Sequence, residues 1–174
     1  MAGLKNDFSY KGFTLSVYFT GQFDYSVYDR WSTYVYNDGF YAMFNQTTDA
    51  LYNSWTPSNP NADYPIQTIG GVNSEGQHYT VNSSRYLRDG DHIRLKDLKL
   101  AYSFGDVLKK AVGINNLTVY LRGVNLWTYA FDEDLTFDPE SNSNDYLYPW
   151  QGKGVYDYTS PLMKSYSLGV SIDF

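Results

Sequence analysis

Hydrophobic and polar residues alternate along the first part of the chain. Leu4, Phe8 and Tyr10 share one parity with Asn6, and Lys5, Asp7 and Ser9 take the other. After Lys11-Gly12, the residues Phe13, Leu15, Val17, Phe19, Phe23 and Tyr25 fall on odd positions, with Thr14, Ser16, Thr20, Gln22 and Asp24 between them. Successive side chains of a strand point to opposite faces, so a sustained period of two predicts half-exposed β-strands, here near 2–10 and 13–28. Two such runs joined by two residues predict a hairpin. The polar parity is built from Ser, Thr, Gln and Asp, which suits water or a lumen better than a packed second sheet.

The alternation stops beyond residue 28. Thr47-Thr48-Asp49 before Ala50-Leu51-Tyr52 predicts a short helix starting near Thr48. Pro57, Pro60 and Pro65 then exclude helix or inner strand, so 29–83 reads as one long excursion, and such loops are usually functional or a small inserted unit. Residues 84–104 form the best-marked strand. Ile93 and Leu95 are odd, whereas Leu98, Leu100, Tyr102 and Phe104 are even, and the change of phase at Lys96-Asp97 predicts a β-bulge. A tight turn or a helix of one or two turns is expected around Lys109-Lys110. Leu117, Val119 and Leu121 open a strand near 117–129, and 130–161 is a second long loop. The last strand, near 163–174, alternates Tyr166, Leu168, Val170, Ile172 and Phe174 with Ser165, Ser167, Gly169, Ser171 and Asp173. Long loops at two connections and short turns at the other two are the asymmetry of an outer-membrane barrel.

Composition narrows the choice of function. The 174 residues suit a single domain, and 19 Tyr, 10 Phe and 4 Trp are too great an aromatic load for a disordered chain. A net charge of −6 argues against nucleic acid as a partner. The absence of cysteine excludes disulfides, thiolate nucleophiles and Cys-ligated zinc, and with only His78 and His92 a histidine metal site is not expected. No apolar run is long enough for a transmembrane helix. A membrane β-strand needs none, because its alternation keeps mean hydropathy low. The first residues hold no basic region followed by an apolar core, so an exported chain of this sequence is expected to be a fragment or a trimmed product.

Candidate contacts lie in the two long loops. Tyr146, Tyr148, Trp150, Tyr156 and Tyr158, with Gly152 and Gly154 to let the backbone bend, are suited to stacking on sugar rings or peptide side chains. Trp55 and Tyr64 are equivalent candidates in the other loop. All of these rings also suit an interfacial aromatic girdle or a capping partner. Asp132, Asp134 and Asp138 are carboxylates of the kind that bind Ca²⁺, but they lack the spaced ladder of an EF-hand loop, and a solvated turn is the simpler reading. Arg85, Arg88, Arg94, Lys96 and Lys99 alternate with Asp89, Asp91 and Asp97, which predicts ion pairs at a lumen or rim rather than a basic patch. No constellation supports catalysis, and no cofactor is expected.

Several stretches resemble the SusC/RagA family of TonB-dependent outer-membrane transporters of Bacteroidetes. They are Asn6-Asp7-Phe8-Ser9-Tyr10-Lys11-Gly12-Phe13-Thr14-Leu15-Ser16, Asn53-Ser54-Trp55-Thr56-Pro57-Ser58-Asn59-Pro60, the block from Ser84 to Leu98 containing Arg88-Asp89-Gly90-Asp91-His92-Ile93-Arg94, Leu117-Thr118-Val119-Tyr120, Gly123-Val124-Asn125-Leu126-Trp127, and the last strand. They occur in the family's order over nearly the whole chain. One departure is Pro161-Leu162-Met163-Lys164, where Lys stands for the family's usual Arg. A terminal strand ending on Phe174 is also similar to the signal read by the barrel-assembly machinery, which gives Tyr166, Leu168, Val170, Ile172 and Phe174 an assembly role.

The resemblance implies an all-β fold: an antiparallel transmembrane β-barrel segment of about five C-terminal strands from a larger, 22-stranded barrel, with two long extracellular loops. The family's plug domain and TonB-contacting segment have no counterpart in these residues. Five strands cannot close a barrel, whose smallest members have eight. The implied function is the wall and loops of a transporter for TonB-energised uptake of oligosaccharides or peptides. The implied partners are a SusD-like surface lipoprotein, the TonB complex through the missing N-terminal part, glycan or peptide substrate, and outer-membrane lipid. The implied location is the bacterial outer membrane, crossed many times. The alternative is a soluble, secreted β-sandwich that binds carbohydrate, in which the apolar parity packs on a second sheet.

Overall fold

Lys11 and Gly12 both take positive φ, +46° and +85°. That handedness matches the right-handed twist of the flanking strands and closes a two-residue hairpin. Glycine suits the second position because a Cβ there would meet the Ser103 carbonyl oxygen at 2.8 Å. The hairpin joins β1 (Ala2–Tyr10) to β2 (Phe13–Gln22). The structure is a computed structural model that describes residues 1–41, 43–70, 83–105, 114–143 and 154–173.

The remaining elements, in chain order, are β3 (Ser26–Asp29), α1 (Ser32–Val35), α2 (Thr48–Tyr52), a 3₁₀ turn at Ser84–Tyr86, β4 (Leu87–Asp89), β5 (His92–Ser103), β6 (Asn116–Ala130), β7 (Val155–Tyr156) and β8 (Ser165–Asp173). Among the described residues, β1-β2-β5-β6-β8 form an antiparallel five-stranded sheet and β4-β3-β7 a three-stranded one.

The chain divides into two units. The first comprises residues 1–25, 89–140 and 161–174, and the second comprises 26–88 and 141–160. The first is the five-stranded sheet with its rim. Register aligns Phe8, Leu15, Leu100, Leu121 and Leu168 as one row across all five strands. The next row, on the opposite face, is Asp7, Ser16, Lys99, Arg122 and Ser167. The apolar face is not covered by the rest of its unit: Leu168 is 75% exposed and Tyr166 72%.

A sequence-predicted strand over 13–28 is corrected. Strand β2 ends at Gln22, Asp24 turns the chain with φ +57°, and β3 belongs to the smaller sheet. The predicted strand over 84–104 is likewise divided. Asp89 accepts a hydrogen bond from the Asp91 amide at 2.9 Å, and the turn it closes separates β4 from β5. The bulge falls at Lys96. Between paired neighbours, β2 passes directly from Tyr18 to Phe19, β5 inserts Lys96 between Leu95 and Asp97, and β6 inserts Asn125 and Leu126 between Val124 and Trp127. Asn125 has φ +54°, a conformation that asparagine tolerates better than most residues.

The second unit contains the elements of the long excursions. Thr47 caps α2 by accepting from the Ala50 amide at 3.1 Å. Its buried apolar side chains include Val27, Ala50 and Tyr86, beside buried Asn37 and Asp38. Arg85 binds Asp38 at 2.5 Å and the Tyr36 carbonyl at 2.8 Å, and the Tyr86 hydroxyl donates to that same carbonyl at 2.7 Å. Burial pushes the Asp38 carboxyl up, against the opposing pull of Arg85.

Candidate functional site

The polar face of the five-stranded sheet carries a hollow of about 660 Å³. Lys5, Lys96, Lys99, Arg122, Asp97 and Tyr18 line it. The bulge is what crowds charge here, because Lys96 and Asp97 are consecutive in sequence and yet both line the same hollow. Asp97 binds Arg122 at 2.5 Å, and Lys5 pairs with Asp7 at 3.2 Å. Lys99 sits 4.5 Å from the centre of the Tyr120 ring, a cation–π contact. Two tyrosines of this face cover glycines. The Tyr18 hydroxyl lies 3.2 Å from where a Gly3 Cβ would stand, and the Tyr120 ring overlaps the position of a Gly169 Cβ.

At the rim, the Asp89-Gly90-Asp91-His92 segment ties neighbouring strands together. The Tyr25 amide donates to the Asp91 carboxylate at 2.9 Å, the Gly90 amide to the Tyr25 carbonyl at 2.7 Å, and the Phe131 amide to the Asp91 carbonyl at 2.9 Å. His92 and Arg94 are buried, at 0% and 1% exposure. Arg94 pairs with Asp138, and its Nε lies 3.5 Å from Glu140. Glu140 also accepts from Lys96 at 2.8 Å and meets His92 Nε2 at 3.4 Å. The His92 hydrogen bond, with help from Lys96 and Arg94, holds the Glu140 carboxyl down to about 2 despite its burial.

The sequence-predicted site residues are placed as follows. Tyr146, Tyr148, Trp150 and Phe174 lie outside the described residues, as do His78 and Lys109-Lys110. Tyr156 is half-buried in β7, parallel to β3. Tyr158 is exposed and meets Trp31 edge-on at 4.4 Å, with Tyr34 at 6.0 Å. Tyr34 also contacts Tyr41 and Phe44, and Phe40 packs on Tyr41, so six rings among the described residues form one cluster. Trp55 is exposed. Tyr64 stacks on Tyr36 at 5.4 Å and donates to Asp49 at 2.8 Å, and burial followed by that carboxylate raises its phenol. Tyr166, Leu168, Val170 and Ile172 all lie exposed on the apolar face.

The three calcium candidates do not converge. Asp132 accepts from the Asp134 amide at 2.9 Å. Asp138 is engaged by Arg94, by the Glu140 amide at 3.0 Å and by the Leu162 amide at 3.1 Å. Among the described residues, no three His, Asp or Glu side chains are grouped to hold a metal. Of the basic residues, Arg85, Arg94, Lys96 and Lys99 are placed in the ion pairs and ring contacts above. Lys5, Arg122 and Tyr18 in the hollow, and Tyr120 beside Lys99, were missed, because only cross-strand pairing brings them together. Their signal was faint: a charge or a tyrosine on the polar parity, with glycine on a neighbouring strand.

No protein-family model matches the chain. Over 99% of its length it is 34% identical to TonB-dependent receptor P26 of Formosa agariphila, and 28% identical to TonB-dependent receptor P3 of the same species. It spans about 16% of the length of these curated relatives. Solved structures are similar as well. The RagAB peptide transporter matches at TM-score 0.67 and 25% identity, over 95% of this chain and 16% of that one. The RagAB peptide importer in its open-open state matches at TM-score 0.72 and 25% identity, over 99% of this chain and 17% of that one. TonB-dependent receptors are outer-membrane proteins, not enzymes. Along nearly its whole length, in sequence and in structure, this chain corresponds to a part, about 16%, of a TonB-dependent receptor similar to RagA of the SusC/RagA family.

Proposed function

We propose that this chain supplies about five wall strands and two external loops of a TonB-energised outer-membrane importer. The observation that carries the reading is the two-faced sheet. Its exposed apolar face runs between two aromatic rows. Phe13, Tyr102 and Phe104 mark one end, and Phe23, Trp127, Tyr129 and Phe131 the other. From Phe13 to Gly21, the β2 residue in register with Ile93 and through it with Tyr129, roughly 26 Å of strand is available. Tilted, that suits the apolar band of a membrane barrel with its aromatic girdles. The opposite, charged face is then lumen. No helix among the described residues is long and apolar enough to cross a membrane, and strands suffice. A soluble sandwich, by contrast, needs a second sheet against Leu168 and Tyr166.

The finer assignments follow the family. The strands are the C-terminal ones of a 22-stranded barrel. Residues 29–83 and 130–161 lie on the extracellular side, and the plug and TonB-contacting segment lie elsewhere in the receptor. RagAB is a peptide importer. We carry over to this chain a SusD-like surface lipoprotein as partner and peptides as the leading cargo, with oligosaccharides second. Tyr158 with Trp31, and Trp55 in the other loop, are the described rings placed to meet cargo or lipoprotein. Tyr146, Tyr148 and Trp150 are assigned the same role from sequence.

The test is fractionation of the receptor from its native host, followed by uptake of labelled peptide with and without TonB. Recovery in the outer membrane as a heat-modifiable band, with TonB-dependent uptake, is the expected result. A soluble, folded, monomeric product of these 174 residues overturns it.

A further inference from the structure

We propose that residues 131–140 form a strap held on the polar face of β5 by a charged His92, and that loss of one proton from that ring releases the strap. The segment leaves β6 at Ala130 and returns to β5. Arg94 binds Asp138, Lys96 binds Glu140 at 2.8 Å, and His92 Nε2 meets Glu140 at 3.4 Å. These three grips are alternate residues of one strand, so they share a face.

The charge on His92 follows from what its two ring nitrogens face. Nδ1 lies 2.8 Å from the Gly90 carbonyl oxygen, and Nε2 faces the Glu140 carboxylate. Both partners only accept, so both nitrogens carry hydrogen, and that species is the imidazolium. A neutral ring of either tautomer turns a lone pair against one of these oxygens. His92 is 0% exposed, so bulk solvent does not relieve the conflict.

The other charged groups around the ring have fixed roles. Arg94 opposes its charge but is itself held by Asp138, and Lys96 shares Glu140. The Tyr25 phenol is pushed up by burial and then by Glu140. Asp91 accepts from the Tyr25 amide, and the register partners Gln22 and Ala130 carry no charge. Histidine is the only side-chain type in this cluster that ordinarily titrates between pH 5 and 8. Burial lowers the His92 ring, but its hydrogen bonds to Glu140 and Gly90 outweigh that and hold it above its ordinary 6.5. The clamped state therefore keeps a proton that the released state gives up more readily. The contribution of the ring is complete below about pH 6.5 and is lost as pH rises through its raised midpoint. The consequence for transport rests on the reading of the polar face as lumen: a freed strap leaves that face open at the loop end of β5.

The experiment follows amide hydrogen exchange of the complete receptor in detergent from about pH 5.5 to about pH 9, as protection relative to intrinsic rates. Protection of 131–140 should fall above about pH 6.5 by up to tenfold per pH unit, the limit for one proton, and then level off. Strand β6 should stay protected throughout. His92→Gln should show no such step, because an amide does not titrate. The Cε1 resonance of His92, identified by its loss in His92→Gln, should titrate above 6.5. Flat protection in the wild type, a step that persists in His92→Gln, or a ring midpoint below 6.5 each overturn the inference. Equal loss of protection in β6 also overturns it, since the sheet rather than the strap is then opening. If His92→Gln fails to assemble, the wild-type exchange profile alone decides. Outer-membrane recovery and peptide uptake are read separately, so failure of the proposed function leaves these outcomes distinct.

Discussion

The ring of Tyr120 occupies the volume that a side chain on its cross-strand partner Gly169 would need. Replacing Gly169 by Ala therefore forces the ring aside and disturbs Lys99 as well as β8. Overpacking of this kind costs about 1–3 kcal/mol. The expected outcome is a lower urea midpoint for the refolded receptor in lipid vesicles. Adding Tyr120→Ser to Gly169→Ala should recover most of the loss, because the clash then has no second partner.

The Arg94–Asp138 pair is buried, with Arg94 only 1% exposed. Removing Asp138 leaves Arg94 with only the longer contact to Glu140, which Lys96 and His92 already share, and breaking a buried pair costs about 3–5 kcal/mol. Asp138→Leu should destabilise the receptor by that order in a denaturant titration. Arg94→Met combined with Asp138→Leu should lose much less, since neither charge is then stranded.

Glu140 gives a pH dependence. Its carboxyl, ordinarily near 4.5, is held to about 2 by His92, Lys96 and Arg94. The native state therefore holds fewer protons on this group than the unfolded chain does, and its contribution is complete above about pH 4.5. It declines as pH falls below that value and is lost through about pH 2. Protease access to residues 131–140 should stay low down to pH 5 and rise between pH 4.5 and 2. A Glu140→Gln receptor should show high access throughout and no step in that window.

Leu121 lies in the apolar row Phe8, Leu15, Leu100, Leu121, Leu168, two residues inside the Phe13–Tyr102 end of the span. An arginine there should cost about 1–3 kcal/mol if the face meets lipid, between the interface and midplane values. Membrane-inserted yield of Leu121→Arg should drop sharply. Its neighbour Arg122, on the other face, should tolerate Gln with near-normal insertion. Equal yields for the two variants would argue against lipid on the apolar side.

What was legible in the sequence was local. Phe13, Leu15 and Val17 announce a two-faced strand because backbone pleating alone sets their alternation. The parity flip at Lys96-Asp97 announces the bulge for the same reason. The ends of strands were less legible. Asp24 breaks β2 through its backbone conformation, which composition does not reveal. The hollow was hidden, because Lys5, Lys99 and Arg122 meet only through register between strands distant in sequence. The Arg85–Asp38 pair spans 47 residues and was illegible for the same reason. The aromatic run of Tyr146, Tyr148 and Trp150 was legible as chemistry, but it lies outside the described residues.

The residue inserted at Lys96 also sets a grammar for changes of length. Before it in sequence, the odd positions of β5 face the apolar side; after it, the even positions do. Deleting Lys96 itself would close the bulge into a regular ladder with β2 and leave Ile93 and Leu95 in phase with Leu98 and Leu100. Deleting one residue elsewhere in β5 would turn the side chains beyond the cut to the opposite face, and only a pair of deletions would keep them on their own side. Single-residue losses in β5 should therefore be viable at the bulge alone, and a library of length variants would map it as the one position exempt from an odd–even rule.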